Sequence, residues 1–193
     1  MRIPASIIVI GLHSERPRSG KSTVAAELAR SVGGTVYSLA DGIRAVAREL
    51  GLAAAADAVG DAKDVPLDQL DGRTPREVLI QIGETRCAMH GREYWLRRLL
   101  DRIADDAEVK RRQSTAPGVS HVAVIDDVRR KEEGQGLVDD GATVCTIVRD
   151  GVPDVADING WRSGTAYTFR NDGTPAECGR RIWDRAKRDR RTA

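Results

Sequence analysis

Residues 6–23 read Ser-Ile-Ile-Val-Ile-Gly-Leu-His-Ser-Glu-Arg-Pro-Arg-Ser-Gly-Lys-Ser-Thr, and behind them Val24, Ala25, Leu28, Ala29 and Val32 recur at helical spacing. Ile7 to Ile10 form a continuous apolar run, as a parallel strand needs when both its faces are covered. The later set makes one apolar stripe of a helix over about 21–32, which the Gly33-Gly34 pair ends. Strand, turn and amphipathic helix in this order suit a phosphate-binding loop. Backbone N–H groups converge on phosphate oxygens, a lysine neutralises charge, and a hydroxyl reaches Mg²⁺. Gly20, Lys21 and Ser22 fill the last three places of the pattern Gly-x-x-x-x-Gly-Lys-Ser/Thr. Glu15 stands where the first glycine belongs, and Gly11 is the nearest glycine upstream. Either the loop is longer than usual or Glu15 adopts a backbone conformation normally left to glycine.

Outward from this turn, the pattern alternates between short β-type runs and helical stretches, as in α/β folds. Strands are predicted over 6–11, 35–39, 121–126 and 143–148, with a short one over 167–169. Helices are predicted over 41–50, 74–90, 94–103 and 132–140, with a last one opening at Thr174. Thr74-Pro75-Arg76-Glu77 and Thr174-Pro175-Ala176-Glu177 share one start signal: a threonine cap, proline in the first turn and a glutamate reaching back. Residues 52–73 yield no element. Trp95 and Trp183 fall on apolar helical faces and read as core. The whole reads as one parallel α/β domain, 1–193, with a helical insertion between its second and third strands.

A second acid belongs at the end of a neighbouring strand to hold the Mg²⁺ shell. His121-Val122-Ala123-Val124-Ile125-Asp126-Asp127 is that pattern, and the sequence does not choose between Asp126 and Asp127.

The 193 residues carry 31 Lys+Arg against 29 Asp+Glu, a formal net charge of +2, so bulk charge draws the chain neither to nucleic acid nor to a membrane. The basic run over 180–191 reads as a solvated helix face. No apolar run spans a bilayer core of about 30 Å, no signal-peptide pattern opens the chain, and a cytoplasmic location is expected. Cys87, Cys145 and Cys178 are scattered and read as small buried hydrophobes, and no zinc site is expected from them or from His13, His90 and His121.

Taken together, Ser19-Gly20-Lys21-Ser22-Thr23, Leu39-Ala40-Asp41-Gly42-Ile43-Arg44, Thr74-Pro75-Arg76-Glu77 with Gln81-Ile82-Gly83, Asp127-Val128-Arg129 with Glu133, and Asn171-Asp172-Gly173-Thr174 resemble the deoxynucleoside monophosphate kinases of bacteriophages, a branch of the P-loop kinases. The resemblance implies a three-layer P-loop NTPase-like α/β fold, a parallel sheet of about five strands flanked by helices. An acceptor-binding helical insertion would cover about 41–105 and a short lid about 149–165, with Arg149 and Arg162 as its cations and Trp161 as its aromatic; the competing reading of 149–165 is a surface loop whose Trp161 packs onto the domain.

The same resemblance implies ATP and Mg²⁺ as cofactors and a (deoxy)nucleoside monophosphate as acceptor. Arg18, Ser19, Gly20, Lys21, Ser22 and Thr23 would hold the triphosphate, with Arg162, Asn171 and Gly173 also at the donor. Ser22 with Asp126 or Asp127 would serve the metal. Asp41, Arg44, Arg76, Gln81 and Arg86 would meet the acceptor. Lys21, Arg76, Arg129 and Asp41 would be catalytic, Arg129 near the transferring group. Ser22 stands where phage members often carry aspartate. A nucleic-acid partner is not expected, but it stays open through the basic run over 180–191 should the acceptor be a base in DNA, and a homodimer is left open too.

Physical reasoning runs the same way: phosphoryl transfer is catalysed mainly by positioning and charge neutralisation, and arginine forks onto two phosphate oxygens at once. Arg76 in a first helical turn also has the helix dipole behind it. Arg44, Arg73 and Arg86 have plain surface roles as competing readings, and Asp41 competes with a simple helix cap. Two further functions stand beside the kinase reading. One is a kinase of a hydroxyl acceptor, such as a modified base in DNA or another small molecule, with Asp41 as base. The other is a non-catalytic nucleotide-binding module in which Glu15 has damaged the loop.

Overall fold

The computed structural model describes residues 2–14, 19–113, 121–149 and 167–192, with the side chains of 191 and 192 left aside. Its strands are β1 (Ile7–His13), β2 (Thr35–Tyr37), β3 (His121–Val128), β4 (Thr143–Val148) and β5 (Tyr167–Arg170). They form one parallel sheet in the order β2-β3-β1-β4-β5. β1 is central: the connection that leaves β1 goes to the β2 side of the sheet and the one that leaves β3 goes to the β4 side, so the chain changes side between the carboxyl ends of β1 and β3. Open α/β sheets bind ligands at such a point.

The helices are α1 (Lys21–Val32), α2 (Leu39–Glu49), α3 (Ala53–Asp57), α4 (Pro75–His90), α5 (Tyr94–Gln113), α6 (Lys131–Asp139) and α7 (Pro175–Thr192). The chain divides into two compact units, residues 1–38 with 100–193, and residues 39–99.

In the first unit the two-residue period of β1 sorts its side chains to two faces. Ile8, Ile10 and Leu12 join Val24 and Leu28 of α1, Val122 and Val124 of β3, and Cys178 and Ile182 of α7 in one buried cluster. On the other face a Cβ at Gly11 would lie 3.0 Å from Leu137 of α6 and 3.2 Å from Val128. Helices therefore cover both sides of the five-stranded sheet, and the expected three-layer α/β architecture holds. At the far end from the β1 carboxyl terminus, Tyr37, His121, Lys110, Asp106 and Thr35 form a hydrogen-bonded chain. The Tyr37 hydroxyl donates to Asp106, so His121 donates from Nε2 and accepts from Lys110 at Nδ1. Burial and Lys110 pull the His121 pKa down.

In the second unit Ala55, Leu70 and Val78 form a small core. Trp95 is buried and donates from Nε1 to the Gly83 carbonyl at 3.1 Å. A Cβ at Gly42 would stand 3.0 Å from its ring, so the tryptophan needs glycine there.

Several predicted bounds move. β1 and β3 each run two residues further, because His13 pairs with Val128 after a register shift between Gly11 and His13. Asp126 and Asp127 thus lie within β3. α2 begins at Leu39, which makes Asp41 a first-turn residue and not a cap. α5 runs ten residues beyond its predicted end, its outer face laced by Glu108 pairs to Arg111 and Arg112. Residues 52–73, where nothing was predicted, hold α3, two 3-10 turns (Gly60–Asp64 and Asp68–Leu70) and a bridge from Leu67 to Arg73. Thr74 caps α4 with the expected reciprocal box, and Thr174 and Glu177 exchange the same bonds at α7. Cys87, Cys145 and Cys178 are buried free thiols, as expected. Among the described residues no helix is long and apolar enough to cross a membrane.

Candidate functional site

α1 begins directly after Gly20, whose φ of 81° lies in the left-handed region where a side chain is strained. The cap offers no side-chain hydrogen bond, and the first turn holds no acid. The Val24 N–H is the first to find an intrahelical carbonyl, that of Gly20 at 2.9 Å. The N–H groups before it have no partner within the helix, which is the state an anion relieves. Ser22 and Thr23 are exposed in this turn, and Lys21 is half-buried.

The Lys21 ammonium is the electrostatic centre of the site. Burial lowers its pKa, and Arg129 adds to that, while Asp127, Asp126 and Glu133 oppose it, Asp127 most strongly. Among the described residues no carboxylate lies within ion-pair distance of Lys21. An incoming anion would supply the counter-charge that burial makes scarce. Asp127 is 8% exposed and its Oδ2 accepts from the Ser38 hydroxyl at 2.6 Å. Asp126, next along the strand, is half-buried. Asp127 is thus the more buried of the two acids and the one whose charge bears more on Lys21.

The chain leaves β3 through Arg129 and Arg130 into α6. Glu133 turns back, and its Oε2 accepts the Arg129 N–H at 2.9 Å and the Arg130 N–H at 3.0 Å. Burial raises the Glu133 pKa, the two N–H bonds oppose that, and Asp127 reinforces it. His13, the last residue of β1, is tied through Nδ1 to the Val128 carbonyl at 3.0 Å.

Asn171 follows β5. It is 5% exposed, its backbone N–H donates to the Val148 carbonyl at 2.8 Å, and its Nδ2 donates to the Ser19 carbonyl at 3.0 Å. Beside it a cleft of about 510 Å³ is lined by Arg170, Asp172, Gly173, Glu177, Arg180 and Arg181. Within the first unit the structure thus joins Ser19, Gly20, Lys21, Asp126, Asp127, Arg129 and Asn171, all named from sequence. Glu133 entered only as part of a motif, although its spacing from Arg130 is that of a capping glutamate. Ser38 carried no signal at all, since its contact with Asp127 spans 89 residues. Glu15, Arg18, Trp161 and Arg162, with nearly all of the expected lid, lie outside the described residues. Arg149 is described and exposed.

In the second unit the expected acceptor residues have internal partners. Arg44 Nη1 donates to the Ala56 carbonyl and, at 3.2 Å, to that of Ala58. Arg76 forks onto Asp64, Nε to Oδ1 at 2.5 Å and Nη2 to Oδ2 at 3.0 Å. Gln81 Oε1 accepts from Arg73 at 2.9 Å. Arg86 and Asp41 are half-buried.

Neither a scan of protein-family models nor a search of curated proteins gives a match. Among solved structures the chain is similar to TT1252 from Thermus thermophilus, at 18% identity and a TM-score of 0.44, over 94% of this chain and 97% of that one. It is also similar to a gluconokinase from Sinorhizobium meliloti 1021, at 17% identity and a TM-score of 0.40, over 100% of this chain and 97% of that one. Neither likeness bears on the chemistry.

Among the described residues no three His, Cys, Asp or Glu side chains gather as a metal site. Mg²⁺ arriving with a triphosphate asks for less, one or two oxygen ligands from protein and the rest from phosphate and water. The exposed Ser22 hydroxyl and the Asp127 carboxylate are hard oxygen donors of that kind.

Proposed function

We propose that the chain is a Mg²⁺-dependent phosphotransferase of the P-loop kinase type, moving the γ-phosphoryl group of ATP to a (deoxy)nucleoside monophosphate. The observation that carries this is the half-buried Lys21 ammonium at an uncapped helix N-terminus, in the field of Asp127 from the neighbouring strand. In this reading the open N–H groups of α1 and Lys21 hold the donor's phosphates, and Ser22 and Asp127 hold the metal. A Mg²⁺ ion held there would supply charge neutralisation for phosphoryl transfer. Arg129, its backbone fixed by Glu133, offers a guanidinium to the group in flight. The turn at Asn171–Gly173 and its arginine-lined cleft suit the donor's base end. Asp41, Arg44, Arg76, Gln81 and Arg86 supply the acceptor contacts. A monophosphate is already an anion and needs no general base.

An ADP-release assay against a panel of mono- and deoxymononucleotides tests the reading. Turnover is expected with at least one of them, and Lys21→Ala is expected to cost on the order of a hundredfold or more, as for loss of an electrostatic donor at a developing charge. Unchanged turnover in that variant removes the site assignment.

One observation favours a second reading, a kinase of a small-molecule hydroxyl. Arg44 and Arg76 are already engaged by protein acceptors, and a hydroxyl acceptor asks less of them. Turnover with hydroxyl compounds and with none of the monophosphates would select it.

A further inference from the structure

We infer that Asn171 is a positioning residue for the phosphate-binding turn and not a reader of the donor's base. The inference rests on the phosphotransferase reading for what the turn binds, a polyphosphate. A turn that presents its N–H groups to an anion must send its carbonyl oxygens the other way, because a carbonyl aimed at phosphate is repulsive. The Ser19 carbonyl precedes the left-handed Gly20, so it is the group whose direction decides whether the turn opens as a cradle. The Asn171 Nδ2 holds that carbonyl at 3.0 Å from a position 152 residues away.

The hold is buried at both ends. Ser19 is 3% exposed and Asn171 is 5% exposed. The Asn171 backbone is pinned to Val148, one strand away from β1. The amide also packs against Gly20 itself, since a Cβ there would stand 2.4 Å from Nδ2. Its other end shows what the contact is kept for: Oδ1 is buried with no hydrogen-bond partner among the described residues. Turning the amide over would set Oδ1 against the Ser19 oxygen, acceptor to acceptor, so the Ser19 bond alone fixes the orientation. A buried acceptor left unmet is costly, and the arrangement retains it in exchange for control of one carbonyl.

The test uses inorganic tripolyphosphate, which has no base, and compares wild type, Asn171→Asp, Asn171→Ser and Lys21→Ala by titration calorimetry. At pH 8 Asn171→Asp sets a carboxylate against the Ser19 oxygen and is expected to weaken tripolyphosphate by more than about tenfold, beyond the worth of the one hydrogen bond lost. As the pH is lowered the new carboxyl takes up a proton, donates again to Ser19, and its affinity relative to wild type is expected to recover. Asn171→Ser, too short to reach, stays weak at every pH and carries the comparison if thermal melting shows Asn171→Asp unfolded at pH 8. Wild-type affinity in both variants overturns the inference. So does a loss that appears only in parallel titrations with ATP and GTP and not with tripolyphosphate, or one in Asn171→Asp that persists at low pH. Failure of the phosphotransferase reading looks different: wild type binds no tripolyphosphate, or Lys21→Ala binds it equally well, and the inference falls with it.

Discussion

Lys21 and Arg76 both stand in the first turn of a helix, α1 and α4, yet the two helix ends are finished in opposite ways. α4 closes its own N-terminus: Thr74 accepts the Glu77 N–H at 3.2 Å, Glu77 accepts the Thr74 N–H at 2.8 Å, and Arg76 is spent on Asp64. α1 has a glycine in place of a capping side chain, and no described carboxylate pairs with Lys21. A capped helix end is a structural part, complete in itself, whereas an uncapped one beside a half-buried cation is completed by something else. A signature that reads strongly in sequence, such as the capping box, can therefore mark a helix end whose backbone is complete without a ligand.

The largest expected effect tests this contrast directly. Lys21→Ala should lower phosphotransfer on the order of a hundredfold or more, while Arg76→Ala, losing a side chain already engaged by Asp64, should cost less than about tenfold. Equal losses in the ADP-release assay would break the contrast. Next comes Gly20→Ala, which forces a side chain into a left-handed conformation against the Asn171 amide. A cost of about 1–3 kcal/mol is expected from urea unfolding, above the roughly 1 kcal/mol expected for Thr74→Ala at the capped end.

The legibility of the two ends follows from the range of the contacts that build them. Thr74 to Glu77 and Thr174 to Glu177 are complete within four residues, and α4 and α7 start where their sequences say. The Ile7–Ile10 run and the stripe from Val24 to Val32 likewise place β1 and α1. The last turns of α5 were not legible, because beyond Ile103 its buried face thins to residues such as Ala107 while charged pairs hold the outside. The extension of β3 to Val128 depends on pairing with His13, 115 residues away. In the site, Lys21 and the acidic pair were readable as types in order. The Ser38 bond to Asp127 spans 89 residues and the Asn171 bond to Ser19 spans 152, and neither contact leaves a local pattern.

A pH experiment sharpens the picture of the open end. Burial raises the Glu133 pKa above its ordinary value of 4.5, so the folded chain holds that proton more tightly than the unfolded one. Its contribution to stability is full below the ordinary value and is lost as pH rises through the raised one. Glu133→Gln should flatten that fall in unfolding free energy while its side-chain oxygen still accepts N–H bonds. An unchanged slope would mean that Glu133 titrates normally. The smallest effect belongs to the capped end. Asp64→Asn frees Arg76 from an exposed ion pair and should lower KM for the acceptor by about two- to fivefold, and a rise would mean that Asp64 itself meets the acceptor.

The three buried thiols give the two units separate reporters. Cys87 sits in the second unit, and Cys145 and Cys178 in the first. Burial also holds the Cys145 and Cys178 thiols in their unreactive protonated form. A soluble alkylating reagent should therefore label each cysteine only when its surroundings open. Mass spectrometry of the modified peptides over time would then clock the breathing of each unit, with and without nucleotide, in the unmutated chain.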